Sequence, residues 1–365
     1  MSKPVSMIEL FYDLVFVYMI AKATELIHVL HHGVVAPFTL LTFAFVVIVF
    51  INSWMVQSVF VNRYGRSSWT DIGFMFADMM IVLYMSNSFS PELNADLRPF
   101  YLAAGLLSFT LFLQYLLVLV RTDDPVDQAI VKRFMVILAL RTVGVGAASL
   151  LPNQLGLVVA FLSVAISWIA PAFTGKLTRQ HPIIFSHLLE RLTELSIVMF
   201  GETIVGIAGY FTKTTFSLVS VMIFAIVASL FFTYITVFDH LVNENREGES
   251  GNLLIYLHYP IIFGISMITV SLRFITERAA NGVFAISFLY GGIALLYLGL
   301  WLARGYQHDQ YQLGNTRYWV IAGILPVAYV AALVLSSALG TIVVTLVATL
   351  CCCALLVGKI YQARA

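Results

Sequence analysis

Long apolar stretches alternate with short polar connections along the whole chain. Charged residues, proline or glycine bound each stretch, as they commonly bound apolar helices. A helix needs about 20 mostly apolar residues to cross a hydrocarbon core of roughly 30 Å. The pattern predicts twelve such spans, at 6–31, 36–60, 69–89, 98–120, 129–150, 153–174, 183–210, 214–239, 253–276, 282–303, 317–337 and 339–362. Only a very short turn around Ser336 and Ser337 separates the last two, so one long kinked helix is the alternative there.

Composition agrees with this pattern. Hydrophobic residues make up 60% of the 365 residues and charged residues 11%, against about 45–50% and 25% in soluble domains. A water-soluble fold is therefore excluded, and the fold class is an all-α, polytopic bundle of transmembrane helices in a lipid bilayer. The formal net charge of +1 gives no field that would attract nucleic acid. The only cysteines, Cys351 to Cys353, are contiguous in an apolar stretch, so we expect no disulfide framework, no metal site and no cofactor.

The basic residues predict the orientation of the chain. If the chain has twelve spans, three basic residues lie on one side of the membrane: Arg98, Lys213 and Arg278. Thirteen fall on the side that holds both termini: Lys3, Arg63, Arg66, Arg121, Lys132, Arg133, Lys176, Arg179, Arg246, Arg304, Arg317, Lys359 and Arg364. Lysine and arginine are enriched on the cytoplasmic side of membrane proteins. Both termini are therefore predicted to be cytoplasmic.

The two halves of the chain are weakly similar to each other. The pair Glu9 and Asp13 recurs as Glu190 and Glu194, at an offset of 181 residues, and basic anchors of later helices recur in the same order. Chance alignment of apolar sequence is the alternative. The similarity predicts a single membrane domain built from two parallel six-helix repeats with a cavity between them. The predicted halves are 1–180 and 181–365.

Several polar residues interrupt the spans, where a charge costs roughly 2.5–3.5 kcal/mol and normally faces the bundle interior. At 100° per residue these residues fall on shared helix faces. The first span carries Glu9, Asp13, Thr24 and His28; the third carries Asp71 and Asp78; the seventh carries His187, Glu190, Arg191, Glu194 and Glu202; and the ninth carries His258, Ser266, Arg273 and Glu277. The first helix of each predicted half therefore has an acidic stripe.

Acids outnumber bases inside the predicted spans. The acids are Glu9, Asp13, Glu25, Asp71, Asp78, Glu190, Glu194 and Glu202, and the bases are Lys22, Arg141, Arg191 and Arg273. Desolvation favours protonation of a carboxylate, so protons or a bound cation would relieve the excess. Arg141 in the fifth span cannot be deprotonated, and we expect it to pair with an acid of the first, third or seventh span.

Two structural interpretations compete with a functional one. Glu9, Asp71, Glu190 and Arg191 lie near predicted helix ends, where they would cap helices or extend to the interface. The deeper residues would instead form buried pairs that hold helices together. These deeper residues are Asp13, Asp78, Arg141, Glu194 and Glu202.

Four sequence blocks resemble the bacterial low temperature requirement A family. They are the opening ELFYDLVFV at 9–17, the block from His187 to Val205 with HLLER and GETIV, the block YLHYPIIFGI at 256–265, and the segment from Trp54 to Tyr64. Together they span most of the chain. Tyr12 and Tyr18 replace the phenylalanines more common in the family, and residues 22–25 depart from its pattern. The resemblance implies a multi-pass protein of the bacterial cytoplasmic membrane with a role in growth in the cold, and it implies no settled molecular activity.

The leading hypothesis is a secondary transporter or a proton- or cation-conducting protein, rather than an enzyme. The predicted pathway residues are Asp13, Asp78, Glu194, Glu202, His258 and Arg141, with a secondary polar shell of Glu9, His28, His187, Glu190, Arg191 and Arg273. An intramembrane enzyme acting on a lipid-like substrate is the first alternative, with His187, Glu190 and Arg191 as acid, base and phosphate-binding groups. A non-catalytic membrane component is the second. The sequence names neither the solute or ion nor the oligomeric state.

Overall fold

Each predicted span corresponds to one long helix in the computed structural model, which describes residues 3–90, 96–246, 248–309 and 315–364. Short 3-10, α or π segments extend four of these helices, at Ala170–Thr174, Gly175–Thr178, Ala208–Phe211, Thr236–Leu241 and Ala303–Tyr306. Within these residues there is no β-strand, so the all-α prediction is confirmed. The long helices are α1 (Met7–Leu26), α2 (Pro37–Tyr64), α3 (Trp69–Ser86), α4 (Arg98–Arg121), α5 (Pro125–Ala148), α6 (Asn153–Ile169), α7 (Phe185–Ile207), α8 (Leu218–Ile235), α9 (Asn252–Glu277), α10 (Gly282–Leu302), α11 (Asn315–Leu335) and α12 (Ala338–Arg364).

The ends of α1 and α2 differ from their predicted positions. Helix α1 ends at Leu26, and His28 lies in the turn that follows, where its N–H donates to the carbonyl of Glu25 at 3.2 Å. Helix α2 continues to Tyr64 because its free carbonyls have a partner. The ammonium group of Lys3 donates to the carbonyl oxygens of Val61 and Gly65, the latter at 2.8 Å. A cation at a helix C-terminus also compensates the helix dipole.

The last apolar region forms two helices instead of one kinked helix. Helix α11 ends at Leu335, and Ser336 adopts a left-handed conformation with a φ of 43°. The hydroxyl of Ser337 then accepts a hydrogen bond from the N–H of Gly340 at 3.1 Å, which caps the start of α12. The side chains of Lys359 and Arg364, two of the predicted cytoplasmic cations, lie outside the described part of the chain.

Among the described residues, nine helices are long and apolar enough to cross a membrane. The three long helices outside that group are α1, α3 and α5, and each contains between two and four charged residues. The chain is thus a multi-pass helical membrane protein. Its most polar long helices are among those that the sequence analysis assigned to function.

The chain divides into two compact units. Unit 1 comprises Met1–Val29, Pro37–Glu194 and Asn245–Ile255, and unit 2 comprises Leu30–Ala36, Leu195–Glu244 and Tyr256–Ala365. These units describe packing and do not test the duplication of residues 1–180 in 181–365, which stays a prediction.

Helix packing in unit 1 is centred on α4 and α5. Helix α4 packs against α3 and α5, α5 packs against α6, and α1 packs against α2 and α3. Gly105 of α4 lies against the backbone of α5 at Thr142 and Gly146, an approach that small residues allow between helices in a membrane. Phe16, Phe50 and other aromatic side chains fill the interior.

In unit 2, α12 packs against α8 and α11, and α10 packs against α11. Helices α9 and α10 approach closely at Gly264 and Gly292. A methyl group added at Gly264 would lie 2.5 Å from the carbonyl oxygen of Gly292. Only glycine fits at this crossing.

Candidate functional site

Polar side chains from α1, α2 and α7 meet in the interior of unit 1. We call this group the buried polar cluster. Its fully buried members are each at most 3% exposed, and the carboxyl side chain of Glu194 at its edge is 18% exposed. Buried polar groups of this number need mutual hydrogen bonds or charge compensation. The cluster consists of Glu9, Asp13, Trp54, Ser58, Asn62, His187, Arg191 and Glu194.

The start of α1 places the two acids of this helix. Ser6 is the N-cap, and its N–H and hydroxyl both donate to Oε2 of Glu9, at 2.9 and 2.7 Å. This capping box fixes Glu9 in the first turn, where a negative charge also favours the helix dipole. Asp13 follows four residues later, so it lies on the same face one turn deeper.

Asn62 sets the state of the neighbouring histidine. The carbonyl oxygen of the Asn62 side chain accepts from the N–H of Ile184 at 2.8 Å, so its amide nitrogen is the donor group. That nitrogen donates to the carbonyl of Ile184 at 2.9 Å and lies 3.1 Å from Nδ1 of His187. Nδ1 is therefore an acceptor, and a neutral His187 carries its proton on Nε2.

His187 and Glu9 face each other inside the cluster. Nε2 of His187 lies 3.1 Å from Oε1 of Glu9, and both side chains are at most 1% exposed. Neither atom completes a well-aligned hydrogen bond within the described structure. The contact is therefore a close polar approach between two buried side chains.

Asp13 is held by two donors from different helices. Nε1 of Trp54 donates to Oδ1 of Asp13 at 2.7 Å, and Nη1 of Arg191 donates to Oδ2 at 2.8 Å. The guanidinium of Arg191 also stands 5.2 Å from the centre of the Trp54 ring, within cation–π range. Nη2 of Arg191 reaches the hydroxyl of Ser58 at 3.3 Å. One tryptophan thus orients both members of a buried ion pair.

Glu194 shares the same guanidinium. Its Oε2 lies 3.7 Å from Nη1 of Arg191, and the carboxyl group also interacts with Asp13. Among the described residues this buried oxygen has no hydrogen-bond partner. Two carboxyl groups therefore compete for one arginine, and Glu9 adds a third acid nearby.

A second polar group in unit 1 surrounds Asp78 of α3. The hydroxyl of Thr110 donates to Oδ1 of Asp78 at 2.5 Å, and Gln114 hydrogen-bonds to the same carboxyl group. The amide of Gln114 in turn pairs with that of Gln57, at 3.0 Å from Gln57 Nε2 to Gln114 Oε1. Asp78 and Arg141 both line a small cavity of about 10 Å³. A volume of this size is about that of one water molecule.

Two side chains of α2 bind the guanidinium of Arg141. Nη1 donates to the side-chain oxygen of Asn52 at 2.5 Å, and Nη2 donates to the hydroxyl of Ser53 at 2.7 Å. Both partners are uncharged residues of α2. Asp78, the acid of the third span, lines the same cavity as Arg141, and an ion pair of Arg141 with an acid stays a prediction.

The remaining predicted site residues belong to both units. Glu190 belongs to unit 1 and is exposed. In unit 2, Glu202 is half-buried, and His258 is fully buried with Nε2 at 3.2 Å from the hydroxyl of Tyr234. Also in unit 2, Arg273 pairs with Glu277 at 3.0 Å, with side chains 49% and 45% exposed. A single pathway through all six predicted residues stays a prediction.

The capping interpretation fits Glu9 and Asp71. Glu9 is part of the capping box of α1, and Asp71 accepts from the N–H groups of Ser68 and Arg66 at the start of α3, both at 3.1 Å. Arg191 does not extend to an interface, since its side chain is 1% exposed and paired with Asp13.

Sequence reasoning missed the uncharged members of both groups. Helix α2 contributes most of them, and their spacing of four or five residues along one apolar helix was the available signal. A count of charged residues does not include these uncharged side chains. Those that α2 contributes are Asn52, Ser53, Gln57, Ser58 and Asn62.

In the part of the chain that the structure describes, an all-α fold with nine membrane-length apolar helices and an interior ion pair defines a polytopic helical membrane protein. Within this class, the chain belongs to the bacterial low temperature requirement A protein (LtrA) family, whose sequence pattern matches residues 4–358. The family resemblance seen in the sequence is thereby confirmed. Searches of curated proteins and of solved structures find no match to this chain.

Proposed function

We propose that this chain is a proton-coupled secondary transporter or a proton-conducting protein. In this proposal Asp13, Arg191 and Glu194 form its protonation centre. The observation that carries the proposal is that two carboxyl groups share one buried guanidinium. Two acids that interact this closely exchange protons as a coupled pair.

The charge balance of the cluster supports this proposal. Glu9, Asp13 and Glu194 are acidic, whereas Arg191 is the only permanent cation among the eight cluster residues. An uncompensated buried charge is costly, and a bound proton removes that cost without moving a helix. Binding and release of a proton would then change which carboxylate pairs with Arg191.

The geometry favours a proton over a metal cation. Both oxygens of Asp13 already accept hydrogen bonds, from Trp54 and Arg191. A metal ion at Asp13 would stand close to a guanidinium that cannot lose its charge, and like charges repel strongly in a low-dielectric interior. A proton needs a single carboxyl oxygen, whereas a metal cation needs several oxygen ligands.

The group around Asp78 provides a second protonation site in unit 1. Its small cavity is lined by Tyr12 of α1, which immediately precedes Asp13 in the chain. A single water in that cavity, together with the Gln57–Gln114 amide pair, would connect Asp78 to neighbouring hydrogen-bonding groups. We therefore place Asp78 and Arg141 on the proposed proton route.

Contacts at helix ends support an even number of passes from α1 to α6 and a cytoplasmic N-terminus. Lys3, before α1, reaches the end of α2, and Asn62, at that same end, binds the backbone of Ile184 just before α7. Helices α1 and α7 therefore start at one end of unit 1, which requires an even number of passes between them. The excess of basic residues assigns this end to the cytoplasmic side of a bacterial inner membrane.

Proton flux into proteoliposomes tests the proposal. The purified protein is reconstituted with a pH-sensitive dye inside the vesicles, and a potential or an imposed pH gradient drives flux. We expect proton uptake above that of empty vesicles. Asp13→Asn and Glu194→Gln are each expected to reduce the rate at least about tenfold, since each removes a protonation site.

Glu190→Gln is the matched control. Glu190 and Glu194 lie one turn apart on α7, and both substitutions replace a carboxylate by an amide, but Glu190 is exposed. Its variant is expected to retain wild-type flux. Absence of flux in the wild type, or equal rates for Glu190→Gln and Glu194→Gln, would contradict the proposal.

Burial argues against the enzyme alternative. An acid–base or phosphate-binding role on lipid requires accessible side chains, yet His187 and Arg191 are each 1% exposed and already engaged with Glu9 and Asp13. A non-catalytic component would keep its full cellular role in the Asp13→Asn and Glu194→Gln variants. The transporter proposal expects both variants to lose it.

A further inference from the structure

A cavity of about 410 Å³ lies in unit 1, away from the buried polar cluster. It is formed where α2 and α4 end and where α3 and α5 begin, and these are ends that the basic residues predict to be cytoplasmic. Cavities of roughly 300–1,000 Å³ accommodate small-molecule ligands.

Three arginines line this cavity: Arg63, Arg66 and Arg121. Arg66 and Arg121 are exposed at the cavity mouth. Arginine side chains bind phosphate and carboxylate groups through paired N–H donors. Three of them around one cavity create a positive local field.

The two acids of the cavity are engaged by other groups. Asp71 accepts from backbone N–H groups in the cap of α3. Asp127 lies 2.5 Å from Nδ1 of His181 and accepts from the hydroxyl of Tyr64 at 3.2 Å. Neither carboxylate forms an ion pair with the three arginines in the described structure. The guanidinium groups are therefore left to bind an external anion.

Arg63 provides the most specific indication of a ligand. Its Nε donates to the carbonyl of His181 at 3.3 Å, and its guanidinium stands 5.8 Å from the centre of the Phe134 ring. Its Nη1 is buried and has no hydrogen-bond partner among the described residues. An orphan charged donor of this kind is costly unless a ligand binds it.

We propose that this cavity, lined by Arg63, Arg66 and Arg121, binds an anion that carries a phosphate group. The headgroup of an anionic lipid and a soluble phosphate ester share this chemistry. The inference does not rest on the proposed proton transport, because its three arginines take no part in that route; Gln114 is the residue that lines this cavity and also pairs with Gln57.

The test uses the full chain in nanodiscs with two probes. The first is glycerol 3-phosphate, titrated by calorimetry into protein in phosphatidylcholine nanodiscs. The second is phosphatidylglycerol, mixed into the nanodiscs, with the thermal unfolding midpoint compared with that in phosphatidylcholine alone. Saturable binding of the first probe indicates a soluble phosphate ester, and a raised midpoint with the second indicates a lipid headgroup.

Arg66→Gln and Arg121→Gln are the principal variants, because both side chains are exposed and their removal leaves the interior packed. Each is expected to weaken glycerol 3-phosphate binding roughly tenfold, or to remove the midpoint shift, since each removes a charge-assisted contact. Arg63→Gln is expected to have a larger effect, with circular dichroism to confirm that the variant is folded.

Arg133→Gln is the matched control. Arg133 is an exposed arginine of α5 that does not line the cavity. Its variant should bind both probes as the wild type does. The proposal is overturned if neither probe acts on the wild type, or if Arg66→Gln and Arg121→Gln behave like Arg133→Gln.

Discussion

At the residue scale, Trp54 contributes an interaction that hydropathy does not reveal. Its indole N–H is a donor to a carboxylate, while its ring faces the guanidinium paired with that carboxylate. A large apolar side chain thereby serves as a polar partner. A substitution that removes the N–H donor and keeps an aromatic ring separates the hydrogen bond to Asp13 from the ring contact with Arg191.

Trp54→Phe is expected to lower the free energy of unfolding by about 1–3 kcal/mol, because Oδ1 of Asp13 loses a buried donor. Equilibrium denaturation in detergent micelles measures this change. Trp69→Phe is the control, since Trp69 is 89% exposed and should change the stability by no more than about 0.5 kcal/mol. Equal effects of the two substitutions would show that the Trp54–Asp13 bond adds no stability.

Charged side chains were easier to predict than their partners. The sequence identified Asp13, Arg191 and Glu194 because charge inside an apolar span is rare. It did not indicate Asn52 and Ser53, two hydrogen-bond partners that the structure gives Arg141. Amides and hydroxyls are common in helices and carry no charge signal, so only the fold shows which of them face an ion.

At the element scale, the crossing of α9 and α10 depends on two glycines. Gly264→Ala is expected to destabilise the protein by about 1–3 kcal/mol, because the new methyl group would overlap the backbone of α10. The thermal unfolding midpoint in micelles measures this effect.

Gly323→Ala is the control for the same chemical change. Gly323 lies in α11, and a methyl group there meets nothing within 4 Å. Alanine has the higher helix propensity, so this variant should be as stable as the wild type or more stable. A Gly264→Ala variant with unchanged stability would mean that the two helices separate at little cost.

Helix positions were predicted well because a membrane imposes a length on each apolar stretch. All twelve stretches form helices, and the uncertain last pair is resolved as α11 and α12. Helix ends were predicted less well. Helix α1 stops before His28, and α2 continues to Tyr64, because caps and distant donors such as Lys3 determine where a helix ends.

At the scale of the whole molecule, the orientation in the membrane is testable with single cysteines in a variant without Cys351, Cys352 and Cys353. Asp123→Cys, between α4 and α5, should react with a membrane-impermeant thiol reagent only from the cytoplasmic side. Thr214→Cys, between α7 and α8, should react only from outside. Both positions are exposed. The expected difference follows from the asymmetry of basic residues.

Labelling of intact cells and of inverted vesicles distinguishes the outcomes. If the two positions react with opposite sidedness to that expected, both termini are outside. If they react from the same side, the number of spans between the two positions is even instead of the expected three, and the predicted twelve-span arrangement with its parallel six-helix repeat is excluded. The sequence could suggest this repeat but not test it, since two apolar segments resemble each other whether or not they share an origin.

The contact of Lys3 with the end of α2 also determines when the N-terminal residues can dock during biosynthesis. The ammonium group reaches the carbonyl of Gly65, so it cannot dock before the ribosome has synthesised that residue. The first residues of the chain therefore stay undocked while α1 and α2 enter the translocon. Once docked, they hold α1 and α2 together as a hairpin. A tag fused in front of Lys3 would therefore interfere directly with this contact.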